Sequence, residues 1–570
     1  MCGYFDGEER NGASVVMILA DTVFHSGPVF DGRRLLDSVS VGVRSGRIVS
    51  IGDDATVSAE LPTAQRIDLA GRLLHPGFTD AHIHALSAGV DRNACDLTGS
   101  DNAAQSLEKV AAFAAQHDGE WIVGSGWSMS HFVNGCPLAV DLDEVVADRP
   151  AFLLNRDHHG AWVNSRALAL AGIDAATPDP ADGRIERDAT GRPTGTLHEG
   201  AMSLVERLVP EVTVAEQRAG LATAQQYLHS FGITGWQEAI VGDYPGMADL
   251  EAIYRAALDE DWLTGEVVGA LWLPRAATLG DVDALVSDFV ARRSATNGDR
   301  WSTHSVKIMV DGVVENRTAA MSEPYCAELS GSGCQCTPSG ARGLSFFDPE
   351  VLTKTVIACD AAGLDIHFHA IGDAAVTASL DAVQAARLAN GISRGRHHIA
   401  HVQLIRPDDI ERFVRLGVGV NMQALWACGD GEMADLVLPA VGAERYQWHY
   451  PFGSLARSGA FLAMGSDWPV STPDPWAAIS VAVNRVAPGI DGEPLLPAES
   501  LDLTTALAAY TSGSAFLNRR RQAGCIRVGA SADLVIADRN PFDQPTTELW
   551  RTRADLTVAD GIIVYERARP

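Results

Sequence analysis

The sequence has no apolar run approaching the ~18 residues that a bilayer-spanning helix needs, so no transmembrane segment is predicted. It is short of positive charge. The 44 Lys and Arg face 73 Asp and Glu, for a formal net charge of -29 and a pI near 4.9. Nucleic acids and anionic membranes are bound through basic patches, so neither is an expected partner. Cysteine is also scarce, with nine scattered over 570 residues. Glu8 and Glu9 precede the short run from Val15 to Ala20, whereas a secretory signal needs a basic start and a longer apolar core. The cysteines therefore read as reduced thiols and the protein as cytoplasmic. Cys334 and Cys336 form the one tight pair, in a Gly/Ser-rich stretch with no second pair nearby, and read as loop rather than as a metal or redox site.

What is present has an ordinary globular balance, 46% hydrophobic and 21% charged. After a loose leader, residues 17–72 carry short strand-like runs punctuated by turns, such as Ser38 to Val43 and Arg47 to Ile51. Residues 521–570 have the same texture, with a turn at Asp560-Gly561. Neither end is large enough to bury a core alone, which predicts one composite β-sandwich built from both.

Residues 73–520 alternate short apolar runs ending in polar residues with helical stretches such as 348–362 and 406–416. The candidate strands are 73–84, 232–239, 267–274, 304–312, 365–373, 397–404, 417–425 and 461–470. Eight such units predict an α/β fold of the (β/α)8 TIM-barrel type. Residues 85 to about 225 break the period and are too long for a loop, so they should form a subdomain inserted after strand one.

Chemistry concentrates where these strands end, and the C-terminal face of such a barrel is where active sites lie. The stretch from Leu73 to His84 reads as one buried strand ending in two imidazoles, with His82 and His84 on the same face. Alone, such a pair is more often core histidines than ligands. Lys307 ends strand four, His369 strand five, His401 strand six and Asp467 strand eight. Metal-ligand residue types on several strands of one barrel make a metal centre the expected reading. His367, His397 and His398 read as structural. Lys307 in an apolar strand is costly unless neutral or paired. A neutral amine can take up carbon dioxide as a carbamate whose oxygens bridge two metals; the alternative is an ion pair with Asp311.

The stretch HPGFTDAHIH with Lys307 in VKIMVDG, His369 in HFHAIGD, His401 in HHIAHVQ and Asp467 in GSDWPV resembles the metal-dependent amidohydrolase superfamily. Within it, the chain is most similar to the subgroup that includes N-substituted formamide deformylases. Smaller matches are Asp157-His158-His159, Asn164 to Leu168 and Gly195 to Glu199. The resemblance implies that His82 and His84 hold one metal, that His369 and His401 hold a second, and that carbamylated Lys307 bridges them. Asp467 would bind metal and act as general base. It also implies a homo-oligomer. Where relatives carry Glu before the strand-six histidine, this chain has Ala400.

The implied reaction is hydrolysis of an N-aryl or N-alkyl amide or formamide, a small-molecule substrate. A metal ion lowers the pKa of bound water to ~7, and metal-bound hydroxide attacks the carbonyl. Ligands of N and O type make Zn2+ the first expectation, with other divalent metals next. Trp127 and Trp162 in the insertion, Trp426 after strand seven and Trp468 beside Asp467 are expected at the mouth, where the alternative for each is plain packing. His159 is expected to line the pocket. Gln423 and Arg317 are candidate donors to a carbonyl oxygen, and Tyr325 to Phe347 a candidate lid. Two alternatives stay open: a cyclic amide, carbamate or ester hydrolysis or a deamination on the same site, and a non-catalytic binding protein.

Overall fold

The computed structural model describes residues 17–568 except 38, 181, 245–248, 297, 299, 331–334 and 430. The leader and Cys334 lie outside the described residues, as do the side chains of 327–337.

Eight parallel strands form the barrel: β1 Phe78–Ile83, β2 Ile233–Val241, β3 Glu266–Trp272, β4 Trp301–Met309, β5 Asp365–Ala370, β6 His398–His401, β7 Gly419–Met422 and β8 Leu462–Met464. They neighbour one another in chain order. Their runs are apolar because both faces are covered, one by the barrel core and one by helices. The polar exceptions fall in register: Lys307 opposite His367, Met309 opposite His369, Ala370 opposite His401.

The expected strand 73–84 is in fact two strands. Gly77 breaks it, and Leu74–Pro76 pairs antiparallel with Leu534–Ala537 in a different sheet. Periodicity could not show this, since both pieces are apolar and only the hydrogen-bonding partner differs. That second sheet has seven strands drawn from both ends of the chain, including Met17–Ile18 beside Ile562–Glu566. A four-stranded sheet of residues 22–68 packs against it. Their shared core joins Phe24, Val41 and Ile48 to Leu534, Ile536 and Val558.

The insertion is a six-stranded sheet spanning residues 95–199 with its own two apolar clusters. Helices Ala85–Asn93 and Val214–Ser230 flank it in sequence and pack on each other. They approach so closely that a Cβ on Gly89 would sit 1.9 Å from the Gly220 carbonyl oxygen. No helix among the described residues is long and apolar enough to cross a membrane.

Cys326 is disulfide-bonded, which corrects the reading of the cysteines as uniformly reduced. It sits at the base of the hairpin Cys326–Ser330/Gln335–Pro338.

Candidate metal centre

The site is built where β8 folds back over β1. Gly465 follows β8 and lies against β1; a Cβ there would come within 2.5 Å of the His82 amide nitrogen and 3.0 Å of Asp80 Oδ1. The Asp467 amide donates to the His82 carbonyl at 2.8 Å, and the His84 amide donates to the Trp468 carbonyl at 3.0 Å. Asp80 ties the same turn from beneath, its Oδ1 accepting from the amides of His82 at 3.1 Å and Ser466 at 3.0 Å. Burial pushes the Asp80 carboxyl up to about 7.

These bonds turn the Asp467 carboxylate inward. Its Oδ1 lies 3.0 Å from His82 Nε2 and 3.2 Å from His84 Nε2. His401 enters from β6, and the candidate ligand atoms of His82, His401 and Asp467 all lie within 4.8 Å of one another. Asp467 (φ 56) and His401 (φ 76) both have left-handed backbone. Such conformations cost on the order of 1–3 kcal/mol each outside glycine and persist where surrounding bonds enforce them. His369 from β5 completes the ring of imidazoles, its centroid 4.4 Å from that of His401.

The protonation states suit ligation, which needs neutral imidazole and ionised carboxylate. Burial, aided by the Lys307 charge, lowers His82 to about 3. Burial drives His369 and His401 well below the usual histidine range. Burial would raise Asp467, but its contacts with His82 and His84 outweigh that and hold it well below the usual carboxylate range. Neither ring nitrogen of buried His401 has a hydrogen-bond partner. A donor set of imidazoles and one carboxylate converging on a point, with both nitrogens of His401 unpartnered, fits a divalent cation.

Lys307 is 2% exposed, and burial lowers its amine to about 7 against the pull of Asp467. The alternative pairing with Asp311 is not formed. Asp311 instead accepts from the amides of Ala320 at 2.8 Å, Ile371 at 3.1 Å and Gly372 at 2.8 Å.

Three expected substrate contacts are corrected. Trp127 and Trp162 are fully buried, pack 6.3 Å apart within the insertion, and donate their indole N–H groups to the carbonyls of Leu153 and Leu138. They are core residues with satisfied polar ends. Gln423 is also committed: its Oε1 accepts from the His401 amide at 2.6 Å, so it positions β6 rather than facing a substrate. Arg317 is exposed. His159 does reach the site, its ring centroid 5.9 Å from that of His369. Burial would lower it, but Glu199, 2.7 Å from Nδ1, raises it to about 9.

A cavity of about 460 Å³ adjoins the cluster. Trp426, stacked on His401 with ring centroids 5.3 Å apart, and Trp468, next to Asp467, form part of its wall. Tyr227, Met129, Leu425 and Met433 extend the apolar lining, and Arg156 and Glu432 add charge. Residues 325–347 contribute nothing to it among the described residues.

Sequence reasoning missed two groups that hold the site. His367, read as structural, places Nε2 2.6 Å from His82 Nδ1 and so fixes that ring. Glu238 on β2 accepts from Tyr254 Oη at 2.5 Å and from the Leu86 amide at 3.3 Å, capping the helix that begins just after His84. Burial pushes it up to about 8. A carboxylate inside the apolar run GITGWQEA was the available signal, since a buried acid needs partners.

Fold and side-chain cluster together define a metal-dependent hydrolase. The chain belongs to the Amidohydrolase family, whose profile matches residues 65–565, and is a hydrolytic enzyme acting on carbon–nitrogen bonds. It is 31% identical to Protein LONG AFTER FAR-RED 3 of Arabidopsis thaliana, over 92% of this chain and 88% of that protein. It is 29% identical to N-substituted formamide deformylase of Arthrobacter pascens, over 93% of this chain and 95% of that one. Its fold is similar to the crystal structure of an uncharacterized metal-dependent hydrolase from Pyrococcus furiosus. There the TM-score is 0.67 at 27% identity, covering 92% of this chain and 100% of the other.

Proposed function

We propose that the enzyme hydrolyses the carbon–nitrogen bond of an N-substituted amide or formamide carrying an aryl or alkyl group. The observation that carries this reading is the aromatic wall set directly on the ligand cluster, Trp426 against His401 and Trp468 beside Asp467. A cavity of about 460 Å³ suits a small molecule, and its aromatic and aliphatic part, Tyr227, Met129, Leu425, Trp426, Met433 and Trp468, suits an organic substituent beside a charged remainder. Similarity to a formamide deformylase along nearly the whole chain supports the same substrate class.

His82, His84, His369, His401 and Asp467 would hold the metal, with zinc the first expectation. A bound divalent ion supplies acidified water and polarisation of the scissile carbonyl. Asp467, ionised and at the centre of the cluster, takes the proton from the attacking water and returns it to the leaving amine. His159, kept protonated by Glu199, has its Nδ1 engaged and leaves Nε2–H as a donor to a substrate oxygen. Lys307, with a substantial neutral fraction at pH 7, adds to carbon dioxide through its amine nitrogen and releases one proton to give a carbamate. The cluster's N and O donors then gain two further oxygens.

The deciding experiment joins metal analysis to a hydrolysis screen over aryl and alkyl formamides, linear amides, carbamates and cyclic imides. Turnover of N-substituted formamides or amides above the other classes is expected. Preference for cyclic imides or carbamates would overturn the substrate class. Metal-loaded protein inert to the whole panel would overturn the catalytic reading.

A further inference from the structure

Outside the barrel, a second group of ligand-type side chains sits on the insertion. Cys136, Glu186 and His198 place a thiol sulfur, a carboxylate oxygen and a ring nitrogen all within 4.8 Å of one another. The local fold explains how they meet. Strands Gly183–Arg187 and Pro193–Glu199 form a hairpin with Arg184 opposite His198, and the register shifts between Ile185 and Arg187. A bulge at that point re-aims the side chain it carries, here Glu186. Thr196, two residues from His198 and so on the same face of the strand, donates its hydroxyl to the Pro137 carbonyl at 2.7 Å. Trp162 holds the next carbonyl, that of Leu138, at 2.8 Å. Two bonds thus tie the loop carrying Cys136 down over the His198 face.

His198 is 1% exposed, and its Nδ1 makes no hydrogen bond. Its Nε2 pairs with Glu186 Oε1 at 3.1 Å. A buried imidazole with one unpartnered nitrogen, its other nitrogen on a carboxylate that a thiol also approaches, is a donor set that a cation would satisfy. Arg184 also contacts Glu186, its Nε 2.8 Å from Oε1, but its side chain is 45% exposed and free to swing into solvent. The barrel cluster uses none of these residues.

We propose that Cys136, Glu186 and His198 bind a second divalent cation of the zinc class, separate from the barrel centre. Thiolate with imidazole selects borderline-soft ions over Mg2+ or Ca2+, and three protein ligands leave one tetrahedral position for water. Binding releases the Cys136 thiol proton to solvent. The ion would fasten the turn Val133–Gly135 and the loop after it to the hairpin. Met129, four residues before that turn, lines the barrel cavity, and Glu199, one residue past His198, holds His159.

The test uses the whole protein, stripped with a chelator and titrated with Co2+. The barrel ligands are all nitrogen and oxygen, so a thiolate-to-cobalt charge-transfer band in the near ultraviolet can report only a cysteine-bound ion. We expect that band to saturate at one equivalent. C136S should abolish it while leaving the visible d–d absorption of the barrel site, and E186Q should weaken cobalt binding at this site at least tenfold. Zinc should also slow alkylation of Cys136 in the wild-type protein at least tenfold, with Cys525 unaffected, a readout that needs no variant. Absence of the charge-transfer band, its survival in C136S, or equal alkylation of Cys136 with and without zinc would each overturn the proposal.

Discussion

The barrel centre and the insertion cluster gather similar residue types by opposite means. In the barrel, His82 and Asp467 are 385 positions apart in the chain and meet because β1 and β8 close a cylinder. In the insertion, Glu186 and His198 are 12 apart and meet across one hairpin. The barrel residues are nearly all buried, whereas Cys136 and Glu186 are half-buried. The first arrangement fixes geometry through the whole fold, at the cost of left-handed backbone at two of its residues. The second needs only a bulge and two loop-anchoring hydrogen bonds. Rigidity of the first kind suits catalysis, where misplacement of a group by about 1 Å can cost 100-fold.

Breaking the barrel side should have the largest effect. Asp467→Asn should lower kcat/KM by about 100- to 10,000-fold, the usual range for losing a general acid–base, while circular dichroism stays unchanged. Near-normal turnover would move the base elsewhere. Lys307→Ala should likewise abolish activity and lower metal content; full loading with normal turnover would sink a bridging role. Gly465→Ala tests closure itself. Its Cβ would collide with the His82 backbone, so the melting temperature should fall by the equivalent of about 1–3 kcal/mol, together with activity. An unchanged melt would show that β8 can shift without disturbing β1.

The tryptophans separate site from scaffold. Trp426→Ala should raise KM with little change in the melting temperature, because that ring faces the cavity. Trp162→Ala should instead destabilise by about 3–5 kcal/mol, as other buried aromatics do. A raised KM in a thermally intact Trp162 variant would return that residue to the pocket.

The smallest effect is expected away from both clusters. Burial would raise Asp360, but hydrogen bonds from His397 and Asn390, at 2.8 and 3.0 Å, and from Ser393 hold it below the usual carboxylate range. A depressed carboxylate stabilises the fold above its unfolded pKa of about 3.9, and that contribution is lost as pH falls through the lower folded value. The melting temperature of the wild type should therefore exceed that of Asp360→Asn at pH 7, with the gap closing below about pH 4. A gap that persists in acid would assign Asp360 a role independent of its charge.

The eight barrel strands were legible because each is an apolar run that ends in polar residues, and both properties are local. The candidate cluster was legible for the same reason: His82, His369, His401 and Asp467 stand at or just beyond those ends. What was hidden depends on partners. Leu74 to Pro76 is as apolar as Phe78 to Ile83, and only pairing assigns it to the other sheet. Nothing in the neighbours of Trp127 shows that its indole N–H meets the Leu153 carbonyl. Gln423 and His367 are ordinary strand residues until the positions of His401 and His82 are known. Cys326 carries no local sign of its covalent bond.

The seven-stranded sheet sets the order in which the molecule can be finished. Leu74–Pro76 is joined to β1 through Gly77, yet its partner Leu534–Ala537 lies some 460 positions later, and Met17–Ile18 waits for Ile562–Glu566. A nascent chain emerging from the ribosome N-terminus first holds the root of β1 unpaired until Leu534–Ala537 has been made. Leu534–Ala537 and Ile562–Glu566 thus act as a clasp on the earlier strands, so chains stopped before Leu534 should expose β1 to proteases that the 570-residue chain resists.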